Sequence, residues 1–225
     1  MPRRNYQESL EKLRLDVQHL GELVLERLEQ SLSALERTDT ETAKSVIEGD
    51  DEINQRYLEL ESTCIDLFAL QQPVASDLRF IAASFKILTD IERIGDLATN
   101  LGRYSLTAEQ EIVSDVALYD IGTAAHDLVA DALDAYVTDD AALCQAVAER
   151  DDDIDALCYR ASERVVRDLI EREATAENPW SVEQVLDEVT ILLLSIRDLE
   201  RVADHGVNIA ARTLYLVEND SELIY

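Results

Sequence analysis

The second half of the chain repeats the first. Residues 46–54, VIEGDDEIN, match residues 147–155, VAERDDDID, at five of nine positions. Residues 90–101, DIERIGDLATNL, match residues 198–209, DLERVADHGVNI, at five of twelve. Residue-by-residue identity indicates a duplicated structural unit, because periodicity alone does not require it. The repeat therefore restricts the chain to architectures made of two similar parts.

Apolar residues recur at steps of three and four through most of the chain, which is the spacing of one face of an α-helix. Only six Gly and three Pro are present to interrupt helices. Capping boxes indicate three helix starts, at Thr38 with Glu41, Thr107 with Gln110 and Ser181 with Gln184. The pattern predicts six long helices, over residues 5–37, 38–70, 73–104, 107–137, 141–174 and 181–217. We therefore predict an all-α fold of two tandem three-helix bundles, over residues 1–105 and 106–225.

The charge of the chain excludes several classes of partner. There are 48 Asp and Glu against 20 Lys and Arg, which gives a formal net charge of −28. This charge repels nucleic-acid phosphates and anionic membrane surfaces. Only three of the basic residues are Lys, and such an acidic, lysine-poor composition is typical of proteins from a salt-rich cytoplasm.

The cysteines and the hydropathy pattern indicate a cytoplasmic protein. Cys64, Cys144 and Cys158 are odd in number and have no C-x-x-C spacing, so we expect buried free thiols in a reducing compartment. No apolar run approaches the roughly 18 residues of a membrane span, and no secretory signal is evident at the N-terminus.

Four carboxylates occupy helix positions that the apolar stripes reserve for the core. Asp50 lies between Val46 and Ile53 on the stripe of the second helix, at steps of four and three residues. Asp151 has the equivalent place in the second half. Glu92 and Glu200 end the stripes of the third and sixth helices in the same way. One turn later on the same faces lie four oxygen-bearing side chains, and another turn on lie two asparagines. These residues are Asn54, Asp96, Asp155 and Asp204, followed by Asn100 and Asn208.

Carboxylates gathered in this way require a positive neighbour, because like charges at short range repel. Arg93 and Arg201 adjoin Glu92 and Glu200 but should point about 100° away, so a bound metal is the better candidate. Oxygen ligands favour hard cations such as Mg²⁺, Mn²⁺ or iron, and zinc remains possible. We expect His205 to have a surface role or to pack between helices rather than to bind the metal.

Three segments resemble the PhoU family, the regulators of the phosphate-specific ABC transporter. They are VIEGD at 46–50, QPVASDLR at 72–79 and ERIGD at 92–96, and the second half repeats the outer two. The resemblance implies two three-helix bundles in pseudo-twofold relation, with multinuclear metal clusters. Carried over here, the ligands are Asp50 with Asn54, Glu92 with Asp96, Asp151 with Asp155, and Glu200 with Asp204. Asn54 stands where the family commonly has Asp, so we expect the first cluster to bind metal more weakly.

The resemblance also implies a function. Family members are negative regulators of phosphate uptake and signalling that contact the transporter's ATPase subunit and, in many bacteria, a sensor kinase. We therefore expect a metal-binding adaptor, active as a homodimer, and not an enzyme.

Two alternatives remain at this point. A ferritin-like enzyme with a carboxylate-bridged di-metal site would need Glu-x-x-His pairs, and the sequence has none. A purely structural helical scaffold would leave the carboxylates in the apolar stripes unexplained.

Overall fold

The computed structural model describes residues 3–70, 74–107, 117–173, 180–219 and 223. All regular secondary structure within these residues is α-helical, which confirms the predicted all-α class. The helices are α1 Arg3–Arg37, α2 Thr40–Glu48, α3 Asp50–Leu70, α4 Ala75–Thr107, α5 Leu118–Thr138, α6 Ala141–Glu173 and α7 Trp180–Glu218.

The second predicted helix is two helices, α2 and α3, which meet at Gly49. Gly49 has φ −77° and ψ −8°. These values are close to helical ones, so the interruption is limited to a single residue. Glycine has the lowest helix propensity after proline, which explains why the break falls there. Counting α2 with α3 as one unit gives six long helical units among the described residues, as the apolar spacing predicts.

One of the predicted helix caps is wrong, and the other two include residues that lie outside the described ones. Asp39, not Thr38, caps α2, because its carboxylate accepts hydrogen bonds from the backbone N–H groups of Glu41 and Thr42 at 3.0 and 3.2 Å. Thr107 is the last residue of α4, and its hydroxyl donates to the Tyr104 carbonyl. The side chains of Ser181 and Gln184 lie outside the described residues.

The helices form two sets of three that share a central layer. In the first set α3 packs on α1 and α4, and in the second set α6 packs on α5 and α7. The sets meet where α4 packs on α7 and α1 packs on α5. The predicted boundary between residues 105 and 106 stays a prediction, since α4 continues to Thr107 and residues 108–116 lie outside the described residues.

The apolar stripes form the core, as their spacing predicts. On α1, Leu13, Val17 and Leu28 are completely buried. The helices also approach closely at glycines: a Cβ placed on Gly122 of α5 would lie 2.3 Å from Cδ2 of Leu32 on α1. A larger residue at this position would therefore have to displace the Leu32 side chain.

Arg14 of α1 ties the end of α5 to the first set of helices. Its guanidinium donates to the carbonyls of Tyr136 and Val137 and pairs with Asp139 at 2.8 Å. It also lies 4.9 Å from the ring centroid of Phe80 and 5.2 Å from that of Tyr136. One cation thus satisfies C-terminal carbonyls of a helix and stacks on two aromatic faces.

The three cysteines are buried and free, as predicted. Burial raises the pKa of the Cys64 and Cys158 thiols to about 12 and that of Cys144 to about 11. Every helix in the described part of the chain is too short or too polar to span a bilayer.

Candidate metal centre

In the first half, Asp50 has two neutral hydrogen-bond donors. It is the first residue of α3, and its Oδ2 accepts from Nδ2 of Asn54 one turn later at 3.0 Å. Its Oδ1 accepts from the hydroxyl of Thr99 on α4, also at 3.0 Å. Both carboxylate oxygens are therefore stabilised within the protein.

Glu92 and Asp96 of α4 lie beside Asp50, and both carboxylates are close to the guanidinium of Arg93. Arg93 Nε lies 3.5 Å from Oε2 of Glu92, and its Nη1 lies 3.3 Å from Oδ2 of Asp96. The expectation that Arg93 points away from these carboxylates is wrong, because its long side chain folds back along the helix surface. Burial, followed by the charges of Asp96 and Asp50, still raises the pKa of Glu92.

In the second half, Asp151 has no comparable partners. Its Oδ1 is buried and has no hydrogen-bond partner in the structure. Burial is the main reason that the pKa of Asp151 rises to about 6, and the charges of Asp155 and Asp204 add to the effect. A buried carboxylate oxygen without a donor is costly for the folded protein.

The other three predicted ligands of the second half, Asp155, Glu200 and Asp204, lie near Asp151. Burial and the charge of Asp155 raise the pKa of both Glu200 and Asp204. The charges of Glu200 and Asp155 also add to the effect of burial on the Cys158 thiol. Two carboxylates from α6 and two from α7 therefore share one region of negative potential, with Cys158 at its edge.

Comparing equivalent positions of the repeat explains why Asp50 has hydrogen-bond donors and Asp151 does not. Asn54 corresponds to Asp155, so a hydrogen-bond donor in the first half is replaced by a negative charge in the second. Thr99 corresponds to Val207, which has no hydroxyl. The second half consequently has the greater uncompensated negative charge, and a cation would be stabilised more strongly there.

Two carboxylates near the predicted clusters were not singled out from the sequence. Asp90 of α4 lies 2.9 Å from Nδ1 of His205 on α7, so of its two expected roles His205 has the one between helices. Asp198 of α7 is completely buried and accepts from the Tyr104 hydroxyl at 3.0 Å. The repeat could have identified both, because Asp90 and Asp198 are equivalent and identical in it.

The predicted outer asparagines occupy different surroundings. Nδ2 of Asn100 lies 3.5 Å from Oδ2 of Asp198, and its Oδ1 accepts from Arg103 at 2.9 Å. Asn208 is exposed on α7.

The candidate ligands are near one another, but they do not form a preorganised coordination site. In the part of the chain that the structure describes, no group of three or more His, Cys, Asp or Glu side chains is arranged so that it could hold a metal ion. The donors are nonetheless oxygen atoms on facing helices, which is the chemistry of sites for hard cations. Oδ1 of Asp151 fits such a role, since it has no hydrogen-bond donor and a cation would supply the missing partner.

Comparison with known proteins identifies related chains. The family model of the PhoU domain matches residues 17–105 and 118–213. The phosphate-specific transport system accessory protein PhoU homolog of Pseudomonas putida is 34% identical over 215 residues, which are 94% of this chain and 80% of that protein. The protein of the same name from Streptococcus pneumoniae serotype 4 is 32% identical over 95% of each chain.

Solved structures show the same fold. The crystal structure of PhoU from Pseudomonas aeruginosa superposes with a TM-score of 0.86 at 30% identity, covering 96% of this chain and all of that one. The phosphate transport system regulatory protein PhoU from Streptococcus pneumoniae gives a TM-score of 0.85, also at 30% identity, with 98% and 99% of the two chains covered.

Proposed function

Because this chain belongs to the PhoU family, we propose that it is a negative regulator of phosphate uptake and phosphate signalling. In this proposal it acts on the ATPase subunit of the phosphate ABC transporter and, in addition, on a sensor kinase. The names of its relatives support the connection with phosphate transport, since they are called accessory or regulatory proteins of that system.

The protein acts by binding partners rather than by catalysis. The relatives are named for accessory and regulatory roles, and the sequence lacks the Glu-x-x-His pairs of the competing di-metal oxidase. We place it in the cytoplasm, where free thiols persist. It functions there as a homodimer, without nucleic acid and without insertion into a membrane.

Metal binding is the second part of the proposal. The observation that carries it is the buried Oδ1 of Asp151, which has no partner and lies among the negative charges of Asp155, Asp204 and Glu200. A divalent or trivalent cation, Mn²⁺, Mg²⁺, iron or Zn²⁺, would neutralise this cluster. Binding requires the four carboxylates to turn towards one point, which costs little for side chains with accessible rotamers.

The first half binds metal more weakly in this proposal. Asp50 is already hydrogen-bonded by Asn54 and Thr99, and Arg93 shields Glu92 and Asp96. A cation would have to displace these contacts before it gained from the carboxylates.

Affinity capture from cells grown with and without phosphate tests the regulatory role. Tagged wild-type protein should enrich the transporter's ATPase subunit, and the enrichment should change with the phosphate supply. A tagged variant with Asp151→Asn and Glu200→Gln tests whether the metal cluster contributes to capture. Recovery of metal-homeostasis proteins alone, with no transporter subunit, would contradict the proposal.

Metal analysis tests the second part independently. Protein purified without chelator should contain Mn, Fe, Mg or Zn, and chelation should remove it and lower the melting temperature. Absence of metal together with no effect of chelation would favour a purely structural scaffold. Turnover with Fe²⁺ and oxygen would favour the di-metal oxidase instead.

A further inference from the structure

A cavity of about 410 Å³ lies at one end of the bundle, where helices of both halves meet. Its walls come from the N-terminal parts of α1 and α4, the turn after α5 and the last turns of α7. The apolar part of the lining consists of Leu10, Phe80, Leu216 and Val217. A concave site of this volume with an apolar wall has the size that accommodates a small organic group.

The segment QPVASDLR at 72–79 contributes to this cavity. Ser76 and Asp77 belong to the segment, and both line the cavity. None of the candidate metal ligands is part of the lining. The cavity is therefore separate from the candidate metal centre.

The charges of the lining are unbalanced. Arg14 pairs with Asp139 at 2.8 Å, so these two charges compensate each other. Glu11 and Asp77 also line the cavity, but neither forms an ion pair in the part of the chain that the structure describes. Three carboxylates and one guanidinium give the lining a net charge of −2, which attracts a cation.

A buried hydroxyl beside Asp77 lacks a partner. Tyr6 of α1 is only 5% exposed, and its hydroxyl has no hydrogen-bond partner within the described chain. Burial, followed by the charge of Asp77, raises the pKa of this hydroxyl, so the two groups are within electrostatic reach of each other. A buried polar atom without a partner is unfavourable. A donor placed between Tyr6 and Asp77 would serve both acceptors.

We propose that this cavity binds a primary ammonium group carried on a short aliphatic chain. The ammonium would donate to the carboxylates of Glu11 and Asp77 and to the Tyr6 hydroxyl, which matches its three N–H donors. The aliphatic chain would pack on Leu216 and Val217. The apolar wall disfavours a bare metal ion, because hard cations take oxygen ligands on most sides.

Two kinds of molecule present such a group. One is a partner protein, through a lysine side chain, and the other is a free polyamine. The cavity takes residues from α1 and α4 as well as from the turn after α5 and from α7. A ligand bound there would therefore also stabilise the contact between the two halves. The proposal requires neither the metal nor the transporter.

Methyl NMR spectra of the full-length protein, labelled with ¹³C at leucine and valine, test the proposal. Leu10, Leu216 and Val217 have methyl groups in the cavity wall, so their signals report directly on occupancy. The probes are Nα-acetyl-lysine N-methylamide for the lysine side chain and spermidine for the polyamine. In about 0.15 M KCl, where the Debye length is about 8 Å, one of them should shift these signals saturably with a Kd of about 1 mM or below. The norleucine analogue, which has a similar aliphatic chain and no ammonium, should bind about fivefold more weakly or worse.

A pair of charge variants separates a site from general attraction to an acidic protein. Glu11→Gln with Asp77→Asn removes both free carboxylates of the cavity and should raise the Kd about fivefold or more. The matched control, Glu29→Gln with Asp66→Asn, makes the same chemical changes at two exposed positions outside the cavity and should leave the Kd unchanged. Circular dichroism and thermal melting check that both variants are folded.

Each outcome supports or overturns the proposal. Saturable shifts of the wall methyls that the cavity variant weakens and the control retains support it, and the probe that binds more tightly identifies the source of the ammonium. Equal weakening in both variants would show that the net charge of −28 attracts the probes without a site. Absence of saturable shifts with either probe, or equal binding of the norleucine analogue, would also overturn the proposal. The last two comparisons use only the wild type, so they stand even where a variant fails to fold.

Discussion

His205 of α7 and Asp90 of α4 lie with Nδ1 and Oδ1 2.9 Å apart, and this contact joins the two halves of the repeat. The repeat counterpart of Asp90 is Asp198, which crosses the same α4–α7 interface to the hydroxyl of Tyr104. Each half of the repeat therefore contributes one carboxylate that contacts a side chain of the other half. The electrostatic influence of His205 opposes the burial that raises the pKa of Glu92 in one cluster and of Asp204 in the other, so this residue lies between the two sites.

Replacing one glutamate in each predicted cluster should remove most of the metal. We expect the double variant Glu92→Ala with Glu200→Ala to lose most of its bound metal, because each cluster loses one of its carboxylates. Its helical circular dichroism should stay near that of the wild type, since both side chains lie at the edge of the core. Elemental analysis of purified protein measures the metal content.

The matched control for this variant removes the same charge elsewhere. Glu29→Ala with Glu149→Ala changes two exposed glutamates and should leave the metal content unchanged. Full metal content in the Glu92 and Glu200 double variant would show that the site is wrongly assigned.

Asn54→Asp should convert the first cluster into a copy of the second. The change removes the donor to Asp50 and adds a charge, so the metal-free protein should lose about 1 kcal/mol of stability. Metal affinity of the first half should rise about tenfold, which isothermal titration with Mn²⁺ can resolve as a second class of sites. Unchanged titration curves would argue against a cation at this position.

The metal-free protein should become more stable as the pH falls from 7 to 4, in part through Asp151. The folded pKa of this carboxyl is about 6, above the value near 3.9 expected when the chain is unfolded. Ionisation therefore costs more in the folded state, and the penalty appears as the pH rises between these two values. Asp151→Asn removes the penalty, so the metal-free variant should exceed the wild type by about 1 kcal/mol at pH 7, after allowance for solvent screening.

Urea denaturation at pH 7 and pH 4 measures this difference, which should vanish at the lower pH. The same substitution at Asp50, which has two hydrogen-bond donors, serves as the control and should not stabilise the protein. A wild type that equals or exceeds Asp151→Asn in stability at pH 7 would contradict the prediction.

Arg14→Leu should destabilise the fold by about 2–3 kcal/mol. The variant leaves the carbonyls at the end of α5 without their donor and loses the contacts with the rings of Phe80 and Tyr136. Lys12→Leu, two residues away on an exposed part of α1, is the control and should change stability by less than about 0.5 kcal/mol. Chemical denaturation of both variants gives the comparison, and equal midpoints would show that Arg14 does not stabilise the end of α5.

Two glycine substitutions should have opposite effects. Gly122→Ala places a Cβ 2.3 Å from Leu32 and should cost about 1–3 kcal/mol through overpacking. Gly102→Ala, in the interior of α4, meets no atom closer than 3.4 Å and should be neutral or stabilise by up to about 1 kcal/mol through helix propensity. Thermal melting distinguishes them, and a stable Gly122→Ala variant would show that the Leu32 side chain can move away without cost.

The sequence determined the helices and the core because both depend on local periodicity. A residue that recurs every three or four positions lies on one helix face whatever the surroundings, so the buried stripe of α1 and the places of Asp50 and Asp151 within their stripes could be predicted. The duplication was equally visible, since it is a matter of identity along the chain. These features predict the fold and the four carboxylate pairs.

Local rules were less successful at single residues that end or begin helices. Gly49 interrupts the second helix, and Asp39 caps α2 in place of the adjacent Thr38. Thr38 has φ 51° and so lies in the left-handed region, whereas Asp39 has the extended backbone of an N-cap. The contact of Arg93 with Asp96 follows the i,i+3 spacing of a helix surface, whereas its approach to the adjacent Glu92 depends on how the long, flexible side chain folds back.

Only the tertiary structure decided how the two halves differ. Whether Asp50 finds a donor depends on Thr99, which lies 49 residues away in the chain and 3.0 Å away in space. Asp151 lacks such a donor because the equivalent position is Val207, and this consequence requires knowing which side chains meet across α6 and α7. The sequence specifies which groups each helix presents, whereas the packing of helices specifies which groups share an environment. Burial and charge act through space, so the imbalance between the two clusters is a property of the assembled bundle.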